Sequence, residues 1–262
     1  MIREAGVIAL AIHERDFTAE EKADKSPVTE ADRRLNEILV RELSAAFPGD
    51  LVIGEESGFD GVPDAERAWF VDPVDGTSDF IKKNGEWSVM IGHAQRGEAV
   101  VGVVYEPVRG TLYYAERGAG AWREHGGEAT RLEVGKDPDP TQAVTVRSRS
   151  HPDPRIDAVL DRLGVTRDYR HGSVGCKLAQ IAEGRADIYF NFSGRCFMWD
   201  TCGPEVIIRE AGGDLVDFDG KRISYKAESL GIEVPFVAVA GALQPAVLSV
   251  LREMRDQLLP EP

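Results

Sequence analysis

Asp72 and Asp75 stand three residues apart in the stretch WFVDPVDGTSDF, Trp69 to Phe80. Trp69, Phe70 and Val71 read as the end of a buried strand. Pro73 has no N–H for a sheet ladder, and Gly76 allows a tight bend or the close approach of a ligand. Two carboxylates are thereby presented on a stiff turn. Gly76, Thr77 and Ser78 follow, and Asp79, Phe80 and Ile81 could open a helix whose first N–H groups bind anions. Carboxylates beside an anion site repel a phosphate unless cations lie between, and hard divalent metals with oxygen ligands fill that role. The same residue types also make ordinary surface turns.

Two further stretches repeat the pattern. Leu51–Gly54 reads as a short strand delivering Glu55, Glu56 and Ser57. In WDTCGPEVIIREAGG, Asp200 stands at the start of a helix, where a plain N-cap is the simpler role. Asp24, Thr29 and Asp32 surround the start of an earlier helix, and helix-start chemistry in solvent accounts for all three.

The elements that carry these residues are predicted from periodicity. Ile2–Glu14 and Thr29–Phe47 have helical spacing, and Glu20–Lys25 between them reads as charged and exposed. Strands are expected at Trp87–Ala94, Ala99–Tyr105 and Thr111–Ala115 in an antiparallel meander, then a looped hairpin region marked by Gly118, Gly120, Gly126 and Gly127, and another strand at Thr130–Val134. Asp60–Glu66 reads as a polar loop. KDPDP reads as a boundary, dividing the chain into 1–146 and 147–262. Beyond it helix and strand alternate: a strand at Ala143–Arg147, a helix at Pro154–Leu163, a strand at Thr166–Arg170, a helix capped by Ser173, strands at Ala186–Phe192, Leu215–Phe218 and Pro235–Ala240, and helices at Trp199–Ala211 and Pro245–Leu258.

The chain has 262 residues, enough for one or two domains with a sizeable core. A formal net charge of −14 argues against nucleic-acid polymers as partners. The three cysteines lack disulfide or zinc spacing, which suits a reducing cytoplasm. The N-terminus has too many charges for a signal peptide, and no run approaches a membrane span.

GEES at Gly54, DPVDGT at Asp72 and WDTCGPEVIIREAGG at Trp199, in this order and spacing, resemble the inositol monophosphatase superfamily of metal-dependent, lithium-sensitive phosphatases over nearly the whole chain. KADKSPVTEAD, FIKKNGEW, SRSH at Ser148–His151 and the stretch from Gly172 to Tyr189 resemble its 3′(2′),5′-bisphosphate nucleotidase branch. The resemblance implies a layered αβαβα sandwich and two or three Mg²⁺ ions. Glu55, Asp72 and the carbonyl of Val74 would hold one ion, and Asp72, Asp75 and Asp200 a second. Gly76 and Thr77 would offer backbone N–H groups to the phosphate. Glu55 and the Thr77 hydroxyl would position the attacking water, with Asp24 and Thr29 facing the metals. Ser150, His151, Gly172, Ser173 and Lys177 would contact a nucleotide. The expected reaction is removal of the 3′-phosphate of adenosine 3′,5′-bisphosphate, with its sulfated precursor as a second substrate, by a monomer or homodimer. Inositol monophosphate, fructose bisphosphate and histidinol phosphate are alternative substrates, and a non-catalytic nucleotide-binding protein is a rival of another class.

Overall fold

The computed structural model describes residues 1–57, 65–226 and 229–259, so the polar loop read over 60–66 falls largely outside the described residues. The chain opens with α1 (Ile2–His13), the short strands β1 (Ala19–Glu21) and β2 (Pro27–Thr29), and α2 (Glu30–Ala46). Strands β3 (Leu51–Gly54) and β4 (Arg67–Asp75) lead to the one-turn helix α3 (Thr77–Ile81). Next come β5 (Ser88–Gln95), β6 (Glu98–Glu106), β7 (Thr111–Glu116), β8 (Gly120–His125) and β9 (Glu128–Arg131). The second half runs β10 (Val144–Ser148), α4 (Arg155–Leu163), β11 (Arg167–His171), α5 (Val174–Ala182), β12 (Ile188–Asn191) and β13 (Cys196–Phe197). It closes with α6 (Met198–Glu210), β14 (Gly213–Asp217), β15 (Gly231–Ile232), β16 (Phe236–Ala240), α7 (Gln244–Glu253) and α8 (Arg255–Leu258).

Strands β3 to β9 form a seven-stranded sheet in sequence order, antiparallel except for the β3–β4 pair. A five-stranded sheet has the order β11-β10-β12-β16-β14, with β10 parallel to both of its neighbours. Alternation along β4 and β5 sorts residues between two cores. Trp69, Val71, Val89 and Ile91 pack with Ala5, Ala9, Leu35 and Leu39 of α1 and α2. Phe70 and Met90 face the other way, into a larger core shared with α5, α6, the second sheet, α4 and α7. The result is the αβαβα layering.

Helix α6 approaches the large sheet closely because of glycines. Gly92 and Gly102 are register partners on β5 and β6. A Cβ on Gly102 would lie 2.0 Å from the carbonyl oxygen of Gly203, and one on Gly92 would lie 2.5 Å from the Gly203 nitrogen. The two positions form a trough that seats the middle of α6 against backbone, and this seating fixes where its first turn, with Asp200, must lie.

The boundaries differ from the sequence reading in several places. Strand β4 does not stop at Val71 but runs to Asp75, with a register shift between Asp72 and Asp75. Pro73 falls in that irregular segment, where its missing N–H costs no ladder bond. The glycine-marked hairpin region is β8 turned onto β9 at Gly126 and Gly127, so the following strand lies at Glu128–Arg131 rather than Thr130–Val134. The run Glu20–Lys25 is partly structured, as β1 pairs with β2. The closing helix breaks at Met254.

Adding one methyl at Gly102 should overpack a backbone contact, which costs about 1–3 kcal/mol. Gly102→Ala is therefore expected to lower the melting temperature by about 2–10 °C. A variant as stable as the parent would show that α6 does not depend on the trough.

Candidate active site

The acids are delivered at the carboxyl ends of parallel strands. β3 ends at Gly54, directly before Glu55, and β4 ends at Asp75. The GEES turn is pinned to α2 by Asn36, which accepts from the Glu56 N–H at 3.3 Å and donates to Ser57 Oγ at 3.3 Å. α6 brings in Asp200 from above the sheet. Carboxylate oxygens of Asp72, Asp75 and Asp200 lie within 4.8 Å of one another.

Electrostatics makes this cluster unfavourable without a cation. Burial, then the neighbouring acids Glu55, Asp75 and Asp200, push the Asp72 carboxyl well up. Burial and Asp75 raise Asp200 to about 8, although the Phe197 N–H donates to it. Burial raises Glu55 to about 7 even though the Lys22 ammonium donates to it at 2.8 Å. Lys22 also pairs with Glu56, and these two acids outweigh its burial and raise its pKa. The set of donors is oxygen only and carries excess negative charge, which fits a hard divalent metal.

Asp75 is held by the other half of the molecule. It accepts from the Val174 N–H at 3.0 Å, the Gly175 N–H at 2.7 Å, Ser88 Oγ at 3.3 Å and Ser173 Oγ. It therefore sits on the N-terminus of α5, where a negative charge is favoured. Ser173 caps the same helix and holds a left-handed φ of 57°, a strained backbone for a non-glycine residue.

Beside the acids, Gly76 takes φ 94° and begins α3. The bonds of α3 begin with the Asp79 and Phe80 amides, both donating to the Gly76 carbonyl at 2.8 and 2.9 Å, so its earlier amides stand outside the ladder. Thr77 Oγ1 lies 3.0 Å from Asp32 Oδ1 and 3.1 Å from the Val74 carbonyl. Its single proton serves one of them at a time.

The nucleotide-end residues come from the loops after β10 and β11. Arg149 makes a two-armed pair with Glu86, at 2.6 Å on each arm, and Glu86 also accepts from the Gly172 N–H at 2.7 Å. This clamp ties both loops to the segment after α3. A Cβ on Gly172 would lie 2.3 Å from Asp79 Oδ2, so glycine is needed for that approach. Ser150 Oγ is buried and has no partner among the described residues. His151 is exposed, and partial burial of its ring, with Lys177, Arg195 and Lys82 nearby, lowers its pKa. Lys177 is buried, donates to the Ser173 carbonyl at 2.7 Å and lies 5.0 Å from the Tyr189 ring centre.

Not every expected residue joins the centre. Asp24 is exposed and accepts from the Ser26 N–H and hydroxyl at 3.0 and 2.7 Å, a closed turn of its own loop. Thr29 Oγ1 donates to Asp32 Oδ2 at 2.6 Å. Ser173 points its hydroxyl at Asp75 rather than outward. The sequence reading gave Asp32 only a capping role and Lys22 only an exposed one. Asp32 does close the capping box, but its second oxygen reaches Thr77 across 45 residues, which no local pattern announces.

The fold and the site together define a metal-dependent phosphatase. A family model described as the inositol monophosphatase family matches residues 1–254, and the chain belongs to that family. It is 34% identical over 229 residues to the 3′(2′),5′-bisphosphate nucleotidase CysQ of Escherichia coli strain K12, covering 86% of this chain and 91% of that one. The solved structure of CysQ from Bacteroides thetaiotaomicron, a bacterial member of the family, superposes with a TM-score of 0.78 at 31% identity, over 92% of this chain and 94% of that one. The Thermotoga maritima IMPase superposes with a TM-score of 0.81 at 26% identity, over 98% and 96% of the two chains. Among the described residues no helix is long and apolar enough to cross a membrane.

The raised acids set a pH dependence. Folded Glu55 and Asp200 titrate near 7 and 8, above the ~4 of an unfolded chain. The folded state thus binds more protons, and metal-free stability falls as pH rises from about 4 to 8. A divalent metal replaces those protons. The rise in melting temperature on adding Mg²⁺ should be larger at pH 8.5 than at pH 6. Equal shifts at both pH values in a thermal scan would contradict the assignment of these acids as ligands.

Proposed function

We propose that the chain is a Mg²⁺-dependent phosphomonoesterase that removes the 3′-phosphate of adenosine 3′,5′-bisphosphate, with its sulfated precursor as a second substrate. The observation that carries this reading is the three-carboxylate centre, together with the cations Arg195, Lys82 and the buried Lys177, which act on His151 alongside the acid Asp79. One end suits the scissile phosphate and the other a second phosphate. The name of the E. coli relative supports the same substrate class. Residues 1–146 and 147–262 act in this reading as two halves of one site.

Bound Mg²⁺, two or three ions, would supply charge to the phosphate oxygens and acidify water. Glu55, Asp72, the Val74 carbonyl, Asp75 and Asp200 would hold it. Thr77 donates its proton to Asp32, which leaves an oxygen lone pair to accept from the attacking water. Glu55 would orient the same water. The amides of Gly76 and Thr77 face the phosphate oxygens. In-line attack then needs positioning and neutralised charge, with no phosphorylated side chain.

Inositol monophosphate is the second reading, favoured by the likeness to the T. maritima IMPase. A phosphate-release panel across both substrates decides between them. Preference for inositol monophosphate would overturn the nucleotide reading, and absence of Mg²⁺-dependent release from every ester would mark a binding protein.

Two site variants separate the roles. Thr77→Ala should keep Mg²⁺ affinity and lower kcat by about 10²-fold, since it loses a contact that orients the water. Asp75→Asn should weaken Mg²⁺ affinity and turnover together. Calorimetric titration checks both, and equal metal loss in the two variants would refute the division.

Lys177 lies under the site, so Lys177→Ala would leave a cavity as well as remove a charge. Lys177→Met keeps most of the stem. It should lower kcat/KM for adenosine 3′,5′-bisphosphate about ten- to a hundredfold more than for inositol monophosphate, the scale of a lost charge-assisted contact. Equal losses on the two esters would place Lys177 in folding or at the metal end.

A further inference from the structure

Phe197 is an unusual residue for its position. It is the N-cap of α6, a place that favours Ser, Thr, Asp or Asn. Its side chain makes no capping bond; the cap runs the other way, from the Phe197 N–H to Asp200 Oδ2 at 2.7 Å. The ring is not core either, since Phe197 stays 38% exposed while its backbone N–H holds Asp200. It is held rather than loose. Phe197 pairs with Gly231 between β13 and β15, and its ring stacks on Trp199 with centroids 4.8 Å apart and planes 10° from parallel. Trp199, only 8% exposed, backs it. Arg195, two residues earlier, is exposed like Phe197, while Cys196 between them is buried. In an extended segment that alternation puts Arg195 and Phe197 on one side. Arg195 is one of the charges that act on His151, with Lys177, Lys82 and the acid Asp79.

The geometry points to Phe197, backed by Trp199, as the stacking face for the base of a nucleotide substrate, with Arg195 serving the phosphate remote from the metals. This rests on the nucleotide reading proposed above and names the part of the site that would enforce it. A rigid aromatic face accepts any flat base, and a cation alongside accepts its phosphate. Inositol monophosphate, with neither a base nor a second phosphate, uses neither.

The test uses the intact enzyme with ethenoadenosine 5′-phosphate, a fluorescent nucleotide that lacks the scissile 3′-phosphate. Binding to the wild type should change the base emission through stacking. Phe197→Ala should weaken this binding about tenfold, and Phe197→Tyr should restore it. In kinetics, Phe197→Ala should raise KM for adenosine 3′,5′-bisphosphate with a smaller effect on kcat, and should discriminate less against inositol monophosphate. Unchanged base emission on binding, or no binding at all, overturns the inference. Equal losses on both esters, or a change in oligomeric state on gel filtration, overturns it in favour of a packing role. If the wild type hydrolyses inositol monophosphate in preference while ethenoadenosine 5′-phosphate still binds through Phe197, the nucleotide-phosphatase reading fails and the stacking face stands.

Discussion

The contact on which the site depends is the carboxylate of Asp75 on the first turn of α5. Asp75 ends a strand of the large sheet, while α5 follows a strand of the small one. Two backbone amides and two serine hydroxyls converge on one side chain. Charge-assisted bonds of this kind are stronger than neutral ones, and a helix N-terminus favours the negative charge. The left-handed backbone of Ser173 is tolerated because its hydroxyl also accepts from the Cys176 N–H at 2.9 Å. The same carboxylate reaches Asp72 and Asp200, so the junction of the halves and the candidate metal centre are one structure.

The rest of the centre is placed by close backbone approach. Gly92 and Gly102 let α6 lie on the sheet, and Gly172 lets the loop after β11 lie on Asp79. Glu86 and Arg149 then lock that loop. None of these devices engages the carboxylates of Glu55, Asp72 or Asp200, which leaves them available to a ligand.

Much of this was legible in the chain because the acids follow short apolar strands. Period-two runs located β5, β6 and β7, and Pro-Asp-Gly chemistry marked the turn that bears Asp72 and Asp75. What local pattern could not show was direction. Lys22 sits in a charged run that reads as solvated, yet its four-carbon stem carries the ammonium inward to Glu55. Lys177 reads as a polar helix residue, yet every residue of α5 after Val174 is buried between the two sheets. The glycines around β8 marked a hairpin but not its bounds, and Asp24 has the acid chemistry of a ligand but satisfies it within its own turn.

The balance of charge explains why so acidic a site can exist in a chain of net charge −14. Asp32, Glu55, Asp72 and Asp200 all have raised pKa values, and burial is the leading cause in each. Lys22 is a single cation shared between Glu55 and Glu56. One ammonium cannot neutralise the group, and the raised pKa values of Asp32, Glu55, Asp72 and Asp200 favour protons there in the absence of metal. Each proton is a poor substitute, since it neutralises one oxygen and satisfies no geometry. A hard divalent ion takes several carboxylates at once. The fold therefore holds a charge deficit that burial keeps large and that Lys22 only partly relieves, and this deficit, rather than any one residue, selects for a multivalent cation.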